Sequence, residues 1–218
     1  MEPNNIILRI TSYLCHQQPS RCFFIGEQML PLCARCTGIY TGFLIAFLFL
    51  WITALKKKFL HFSKKVSVIS SIFLFILLIE GFLSSKEILT AGNNIRFLLG
   101  LLGGSSVGIF SFGLINYSFR GKTYFAKTVF SSKDLLILIG ILLFLYLFKI
   151  SINFSFLFYL WNFLIILGLF FIYLTLNLTF VSVFWKGKRA TKTFRWKLSI
   201  YTAILLFIEI LLIVFLKQ

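Results

Sequence analysis

Hydrophobic residues fall into six long apolar runs, which short polar segments separate. The runs cover about residues 37–55, 66–83, 95–115, 135–150, 154–184 and 198–216. A helix needs roughly 20 apolar residues to cross about 30 Å of hydrocarbon, and most of the runs come close to this length. The pattern therefore predicts an all-α integral membrane protein, built as a bundle of about six transmembrane helices.

Composition supports the membrane class and argues against a soluble fold. Of the 218 residues, 59% are hydrophobic and only 13% are charged. A soluble domain carries roughly 25% charged residues. A soluble chain of this length buries about 70% of its unfolded surface, too little to hide so many apolar side chains. We therefore expect the protein in the cell membrane as a multi-pass protein, with lipid around it.

The net charge of +16 has a topological meaning rather than a nucleic-acid one. Fifteen of the 22 basic residues lie in the segments after the first, third and fifth apolar runs. Lys and Arg beside membrane spans are retained on the cytoplasmic side. We therefore predict that the N-terminus and the C-terminus are both extracytoplasmic. Nucleic acid is not expected as a partner, and the sequence identifies no protein partner.

The 36 residues before the first apolar run differ from the rest, which predicts two parts. Residues 1–36 form an extracytoplasmic Cys/His-containing N-terminal segment, and residues 37–218 form a six-helix transmembrane domain. Within the latter, Gly38 and Gly42 in the first run and Gly100 and Gly104 in the third are spaced four residues apart. Small residues at this spacing let membrane helices approach closely, so we predict helix packing at these positions.

All four cysteines lie within 22 residues of the N-terminal segment. Pro31 fits the first turn of a helix, so Cys33 and Cys36 are expected on one face at its N-terminal end. The partial positive charge at a helix N-terminus favours thiolate there. With Cys15 and His16 they make a Cys₃His set, which suits zinc or another soft transition metal. The sequence predicts this metal site and no other cofactor.

Two other uses of the same cysteines stay open. Cys33 and Cys36 form a Cys-x-x-Cys pair at a helix start, which is also the layout of a thiol-disulfide oxidoreductase. Four cysteines outside the cytoplasm can equally form structural disulfides in a transporter or another membrane protein. The chain has no phosphate-binding loop, nucleotide fingerprint, serine-hydrolase elbow or His-Glu-x-x-His motif. Apart from the cysteine pair, no catalytic residue is identified, and whether the protein is an enzyme stays open.

A second polar group is predicted on the same side of the membrane. Glu80 lies near the end of the second run, and Asn94 and Arg96 lie at the start of the third. Charges at these positions are costly, so we expect them to be paired or to form a site. The prediction is a pocket made of Arg35, Glu80, Asn94 and Arg96 beside the cysteines. The alternative is a structural ion pair between Glu80 and Arg96.

The cysteine motifs resemble those of a known family. Residues 15–21 read Cys-His-Gln-x-Pro-x-Arg and residues 33–38 read Cys-Ala-Arg-Cys-Thr-Gly. This pattern resembles the predicted membrane proteins grouped as domain of unknown function 2085, over roughly the first 110 residues. The family usually has serine where this chain has Cys22. Three cysteines cannot all pair within one chain, so the resemblance implies metal ligation by Cys15, His16, Cys33 and Cys36. It implies no activity.

Overall fold

The computed structural model describes the chain from Thr11 onward in several stretches. These are residues 11, 15, 17–25, 27–57, 61–86, 88, 91–120, 129–150, 155–184 and 201–202. Within them five long helices follow one another: α1 (Ala34–Lys57), α2 (Lys64–Ser85), α3 (Asn93–Arg120), α4 (Ser132–Ile150) and α5 (Ser155–Phe184). They correspond to the first five apolar runs, and each helix end lies within five residues of the predicted one.

Four of these helices are long and apolar enough to cross a membrane. The four spans are Ala34–Lys56, Lys64–Ser85, Asn93–Asn116 and Phe158–Val181. The multi-pass helical fold is thus confirmed, but the number six is not. The fourth run forms helix α4 of 19 residues, which is not among the four spans. The sixth run lies outside the described residues, apart from Tyr201 and Thr202.

Helices α1 and α3 form the centre of the bundle, and their glycines set the distance between them. Gly38 and Gly42 of α1 lie against the backbone carbonyls of Phe97 and Leu101, and Gly104 of α3 lies against the backbone of Ile39. A Cβ atom at any of the three would overlap that backbone. The predicted packing role is therefore confirmed. Because the two helices touch along these positions, the starts of α1 and α3 lie side by side.

Side chains on the outer helices are apolar and face outward, as expected for contact with lipid. Phe75 and Phe82 of α2 are 63% exposed, and Phe144 of α4 is 66% exposed. In a soluble protein such faces would need a covering partner. Here they surround a core in which Phe43 and Leu101 of the central helices are fully buried. This distribution agrees with a helical bundle in a membrane.

The structure corrects the expectation of an all-α fold. Strand β1 (Cys22–Ile25) pairs antiparallel with strand β2 (Gln28–Cys33), and β2 leads directly into α1. Pro31 lies in this second strand, so the helix begins at Ala34 and not around the proline. The apolar sequence Cys-Phe-Phe-Ile, followed by Gly-Glu and then by Gln-Met-Leu-Pro-Leu-Cys, is a hairpin signal that the helical interpretation overlooked.

A second small sheet joins two loops at the other end of the bundle. Strand β3 (His61–Phe62) lies parallel to strand β4 (Val129–Phe130), and the backbone N–H of Ser63 donates to the carbonyl of Phe130. The segments after α1 and after α3 are therefore on one side. The hairpin, the end of α2 and the start of α3 are together on the opposite side, in agreement with alternate crossings.

Candidate metal centre

Three cysteine side chains converge where the hairpin meets α1. The sulfur atoms of Cys15, Cys33 and Cys36 all lie within 4.8 Å of one another, and all three residues are partly exposed. They come from three local structures: the segment before the hairpin, the last residue of β2, and the first turn of α1. Three soft ligands at this spacing can hold one soft metal ion.

The junction between β2 and α1 positions two of the sulfurs. Cys33 ends the strand, and Cys36 follows in the first helical turn. The hydroxyl of Thr37 donates to the carbonyl of Leu32 at 3.3 Å, which ties that first turn back to the strand. Cys33 and Cys36 are therefore held by rigid backbone on both sides of the junction.

Cys15 is held against this junction by hydrogen bonds. Its sulfur accepts the backbone N–H of Cys33 at 3.3 Å, and its own N–H donates to the carbonyl of Thr11. Gln17 adds a second tie, since its amide donates to the Thr11 hydroxyl at 2.8 Å and to the Pro31 carbonyl at 2.9 Å. Its φ of 45° lies in the left-handed region, which is costly for a residue other than glycine. The two amide hydrogen bonds hold this conformation.

The hydrogen bonds make the three thiols electrostatically unequal. The pKa of Cys15 is well below its usual value, because the Cys33 and Cys36 thiols and backbone N–H groups donate to its sulfur. The pKa of Cys33 is raised, chiefly because its thiol donates to Cys15. Cys15 is therefore the thiol that ionises more readily than Cys33, with neighbouring donors to stabilise its thiolate. Such a thiolate attracts a cation.

Cys22 stands apart from this cluster. It is 3% exposed, and burial raises the pKa of its thiol to about 11. It faces Cys33 across the hairpin, where the two residues are direct cross-strand partners. None of the four cysteines forms a disulfide in the structure.

The predicted fourth ligand cannot be placed beside the other three. His16 lies outside the described residues, between Cys15 and Gln17 in the sequence. The structure therefore assembles three of the four predicted ligands. The sequence predicted that Cys33 and Cys36 both lie at the start of a helix. In the structure only Cys36 belongs to α1, and Cys33 belongs to the strand before it.

Arg35, between the two cysteines, reaches a buried carboxylate on another helix. Its Nη2 donates to Glu80 Oε1 at 2.8 Å, and its Nε lies 2.7 Å from Oε2. The second contact is an ion pair, since the N–H does not point along it. Glu80 is only 4% exposed, and Arg96 Nε lies 3.7 Å from Oε1. The expected Glu80–Arg96 pair exists, but Arg35 is the closer partner of the carboxylate.

Helix α3 connects the buried charges to the hairpin. Arg96 donates to the Ser84 hydroxyl at 3.0 Å, near the end of α2. Asn93, the first residue of α3, donates its amide to the carbonyls of Ser20 and Cys22 at 3.1 and 3.2 Å. Asn94, which was predicted for the pocket, is exposed in the first turn of α3. Sequence reasoning missed Asn93 as the residue that holds the hairpin.

Comparisons with known proteins agree with the cysteine motif. Residues 15–110 match the family described as "Predicted membrane protein (DUF2085)". An uncharacterised protein of Methanothermobacter thermautotrophicus is 28% identical over 97 residues, which is 44% of this chain and 83% of that protein. An uncharacterised protein of Methanocaldococcus jannaschii is 33% identical over 98 residues, 45% of this chain and 61% of that protein. No solved structure gives a significant match. The matched segment contains both charge partners of Glu80 and all four cysteines.

Proposed function

We propose that this chain, whose residues 15–110 belong to the DUF2085 family of predicted membrane proteins, is a membrane protein with a metal centre at the mouth of α1. Cys15, Cys33 and Cys36 bind one soft transition metal ion, with zinc as the best candidate. The observation that carries the proposal is the convergence of three sulfur atoms within 4.8 Å.

The spacing of the sulfurs is close to what zinc requires. Zinc–thiolate bonds of 2.3 Å in a tetrahedron put the sulfurs about 3.8 Å apart. Three sulfurs within 4.8 Å reach that arrangement by small side-chain rotations, because Cys33 and Cys36 are already fixed by backbone. Their partial exposure gives the ion a path from the surface. Metal binding then releases the protons that the three thiols share.

Buried charges beside the cluster support a thiolate site. Two guanidinium groups, from Arg35 and Arg96, surround the single carboxylate of Glu80. The group has a net charge of +1, whereas three thiolates with a divalent ion have a net charge of −1. Positive charges near a thiol favour its thiolate form, most strongly where water is excluded. The Arg35–Glu80–Arg96 group is thus a fitting neighbour for a loaded Cys₃ centre.

His16 remains our candidate for the fourth ligand. It adjoins Cys15 in the sequence, and imidazole is a ligand that zinc accepts readily. A centre with all four protein ligands is closed and structural, whereas three ligands leave a position open for water or substrate. His16→Ala separates these roles, because a closed site should lose affinity while an open site keeps it. Metal affinity in competition with a chelator measures the difference.

Metal content is the decisive measurement for the proposal. Protein purified without chelator should contain about one metal ion per chain by elemental mass spectrometry, and Cys33→Ser should lose it. Cys22→Ser is the matched control, since it removes a neighbouring cysteine outside the cluster and should keep the metal. A Cys33→Ser variant with full metal content would show that this site does not bind the ion.

A thiol-disulfide oxidoreductase using Cys33 and Cys36 is the second candidate. It is favoured by the proximity of the three sulfur atoms, together with the lowered pKa of Cys15. Thiolate is the attacking form in disulfide exchange. Metal-free protein equilibrated in glutathione redox buffers would then gain and lose a disulfide among these residues reversibly. Thiol counting after each equilibration tests this, and a constant count would remove the candidate.

We further propose that the metal centre lies on the extracytoplasmic side. The basic loops after α1 and α3 are joined by the β3–β4 sheet at the far end from the cysteines. If basic loops stay in the cytoplasm, the cysteines face outward. On that side, the centre would face an environment that can oxidise its thiols or exchange its metal ion.

A further inference from the structure

Cys22 and Cys33 are cross-strand partners at the open end of the β1–β2 hairpin, beyond a register shift between Cys22 and Phe24. Paired residues of an antiparallel ladder have Cα atoms about 4.5–5.5 Å apart. A disulfide bridges Cα atoms roughly 4.4–6.8 Å apart. Cross-strand partners of this kind thus fall in the range of Cα separations that a disulfide bridges, and both thiols are free in the structure.

We infer that Cys33 has a second use, a reversible cross-strand disulfide with Cys22 that excludes metal from the cluster. The inference rests on the proposed function, because it describes the regulation of that same site. A sulfur in a disulfide carries no thiolate charge, so oxidation removes one of three ligands. Two thiolates, at Cys15 and Cys36, remain, and the metal is released.

Burial assigns different roles to the two thiols. Cys33 is partly exposed and reaches solvent, whereas Cys22 is 3% exposed. When an oxidant reacts at Cys33, the hairpin partner Cys22 is therefore placed to complete the disulfide from inside the hairpin. Cys22 is also the one cysteine outside the metal cluster, so it stays uncoordinated while metal is bound.

The oxidant is a low-molecular-weight disulfide, and the exchange is balanced. The Cys33 thiolate attacks one sulfur of the oxidant, forms a mixed disulfide and releases one thiolate. The Cys22 thiol gives its proton to that released thiolate and attacks the Cys33 sulfur, and the second half of the oxidant leaves as a thiolate. The two protein thiols together lose two electrons, which reduce the oxidant to two thiols. The second released thiolate takes up the proton that Cys33 had lost.

The hairpin makes this exchange specific. Asn93 holds the carbonyl of Cys22, and β2 runs directly into α1, so both residues are fixed from outside the hairpin. Cys15 accepts a hydrogen bond from the backbone of Cys33, but no strand pairs the two residues. The ladder thus makes Cys22 the strand partner of Cys33, and the disulfide map decides between Cys22 and Cys15, whose sulfur lies within 4.8 Å of the Cys33 sulfur.

Zinc release and peptide mapping together test the inference on the full chain in detergent. Reduced protein is loaded with zinc and treated with oxidised glutathione, and the released zinc is measured with a chromogenic chelator. We expect wild type to release its zinc, to show a Cys22–Cys33 disulfide in non-reducing peptide maps, and to recover metal binding after dithiothreitol. Cys22→Ser and Cys22→Ala should release zinc at least about tenfold more slowly, since no cross-strand thiol completes the disulfide.

Equal release from wild type and both Cys22 variants would overturn the inference, as would a map that joins Cys33 to Cys15 or Cys36. The proposed function fails separately, if reduced wild type binds no zinc at all. In that case the peptide map still decides whether the Cys22–Cys33 disulfide forms.

Discussion

Cys33 shows how much one residue position determines in this protein. It ends β2, faces Cys22 across the hairpin, and donates its backbone N–H to the sulfur of Cys15. Its own sulfur belongs to the cluster with Cys36. The position is therefore at once a strand end, a hydrogen-bonding partner of Cys15 and a candidate metal ligand. Few substitutions there can preserve all three.

Gln17 should contribute to metal affinity although it is not a ligand. Gln17→Ala removes two side-chain hydrogen bonds, each worth about 1 kcal/mol, and leaves a strained backbone. We expect roughly tenfold weaker zinc binding in a chelator competition. Gln17→Gly is the matched variant, since glycine relieves the positive φ and should lose less affinity. Equal losses in both variants would show that the backbone conformation contributes nothing.

Glu80 should matter for stability because it is buried between two cations. Glu80→Gln leaves the guanidinium groups of Arg35 and Arg96 without their counter-charge, and breaking a buried pair in this way costs about 3 kcal/mol. We expect a clearly lower midpoint of thermal unfolding in detergent. Glu27→Gln removes the same charge from an exposed position in the hairpin turn and should change little. An unchanged midpoint for Glu80→Gln would contradict the role of the ion pair.

Thiol alkylation in metal-free, reduced protein should separate Cys15 from Cys22. The pKa of Cys15 is lowered, so its thiolate persists as the pH falls below the usual cysteine range. The pKa of Cys22 is raised to about 11, so its thiol stays protonated at neutral pH, and it is also buried. Iodoacetamide at pH 6 should therefore label Cys15 well before Cys22. Peptide mapping over a pH series measures both, and faster labelling of Cys22 would contradict the assigned environments.

At the scale of elements, the contact between α1 and α3 carries the site. Gly100 lies against the backbone carbonyl of Arg35, the residue between Cys33 and Cys36 of the cluster. The same close approach brings Arg96 of α3 to the carboxylate that Arg35 binds. A larger distance between these helices would separate the ion pair and the cluster together. The glycines are therefore part of what positions the metal centre.

Gly104→Ala and Gly140→Ala make a matched pair for this contact. A Cβ at Gly104 would overlap the backbone of Ile39, whereas no neighbouring atom of the described residues lies within 4 Å of a Cβ at Gly140. We expect Gly104→Ala to lose about 1–3 kcal/mol through overpacking. Gly140→Ala should be neutral or gain up to about 1 kcal/mol from helix propensity. The midpoint of thermal unfolding in detergent measures both, and equal shifts would argue against close packing.

At the scale of the whole molecule, the two ends of the bundle carry different kinds of side chain. One end gathers the hairpin, the cysteines and the buried ion pair. The other end holds the short β3–β4 sheet and basic residues such as Lys64, Lys65 and Lys133. Between them, helices with apolar outer faces match the hydrocarbon layer. The candidate metal centre thus lies at one end of the bundle, among the described residues.

The orientation of these ends can be tested by labelling from one side. In intact cells, a membrane-impermeant maleimide should reach Cys15 or Cys33 in the metal-free protein, if the metal centre is extracytoplasmic. A cysteine introduced at the exposed Lys65 should be labelled only after permeabilisation. Peptide mapping distinguishes the positions, and the reverse pattern would invert the proposed topology.

The sequence by itself determined the membrane class and much of the site's membership. Apolar runs of spanning length can only be helices or barrel strands in lipid, because every backbone polar group must be satisfied internally. Local spacing also identified Cys33 and Cys36, which are three residues apart, as candidate ligands. The hairpin was missed, because a six-residue apolar strand next to a helix start resembles one more helical turn.

Only the tertiary structure decided which distant groups meet. Cys15 joins Cys33 across 18 residues, and Glu80 pairs with Arg35 across 45. Periodicity records which face of an element is apolar, but it contains no information on which faces come together. Here that choice follows from the glycine contacts between α1 and α3 and from the fold of the hairpin onto α3. Pairing over such separations depends on packing of the whole bundle, which no local pattern in the chain encodes.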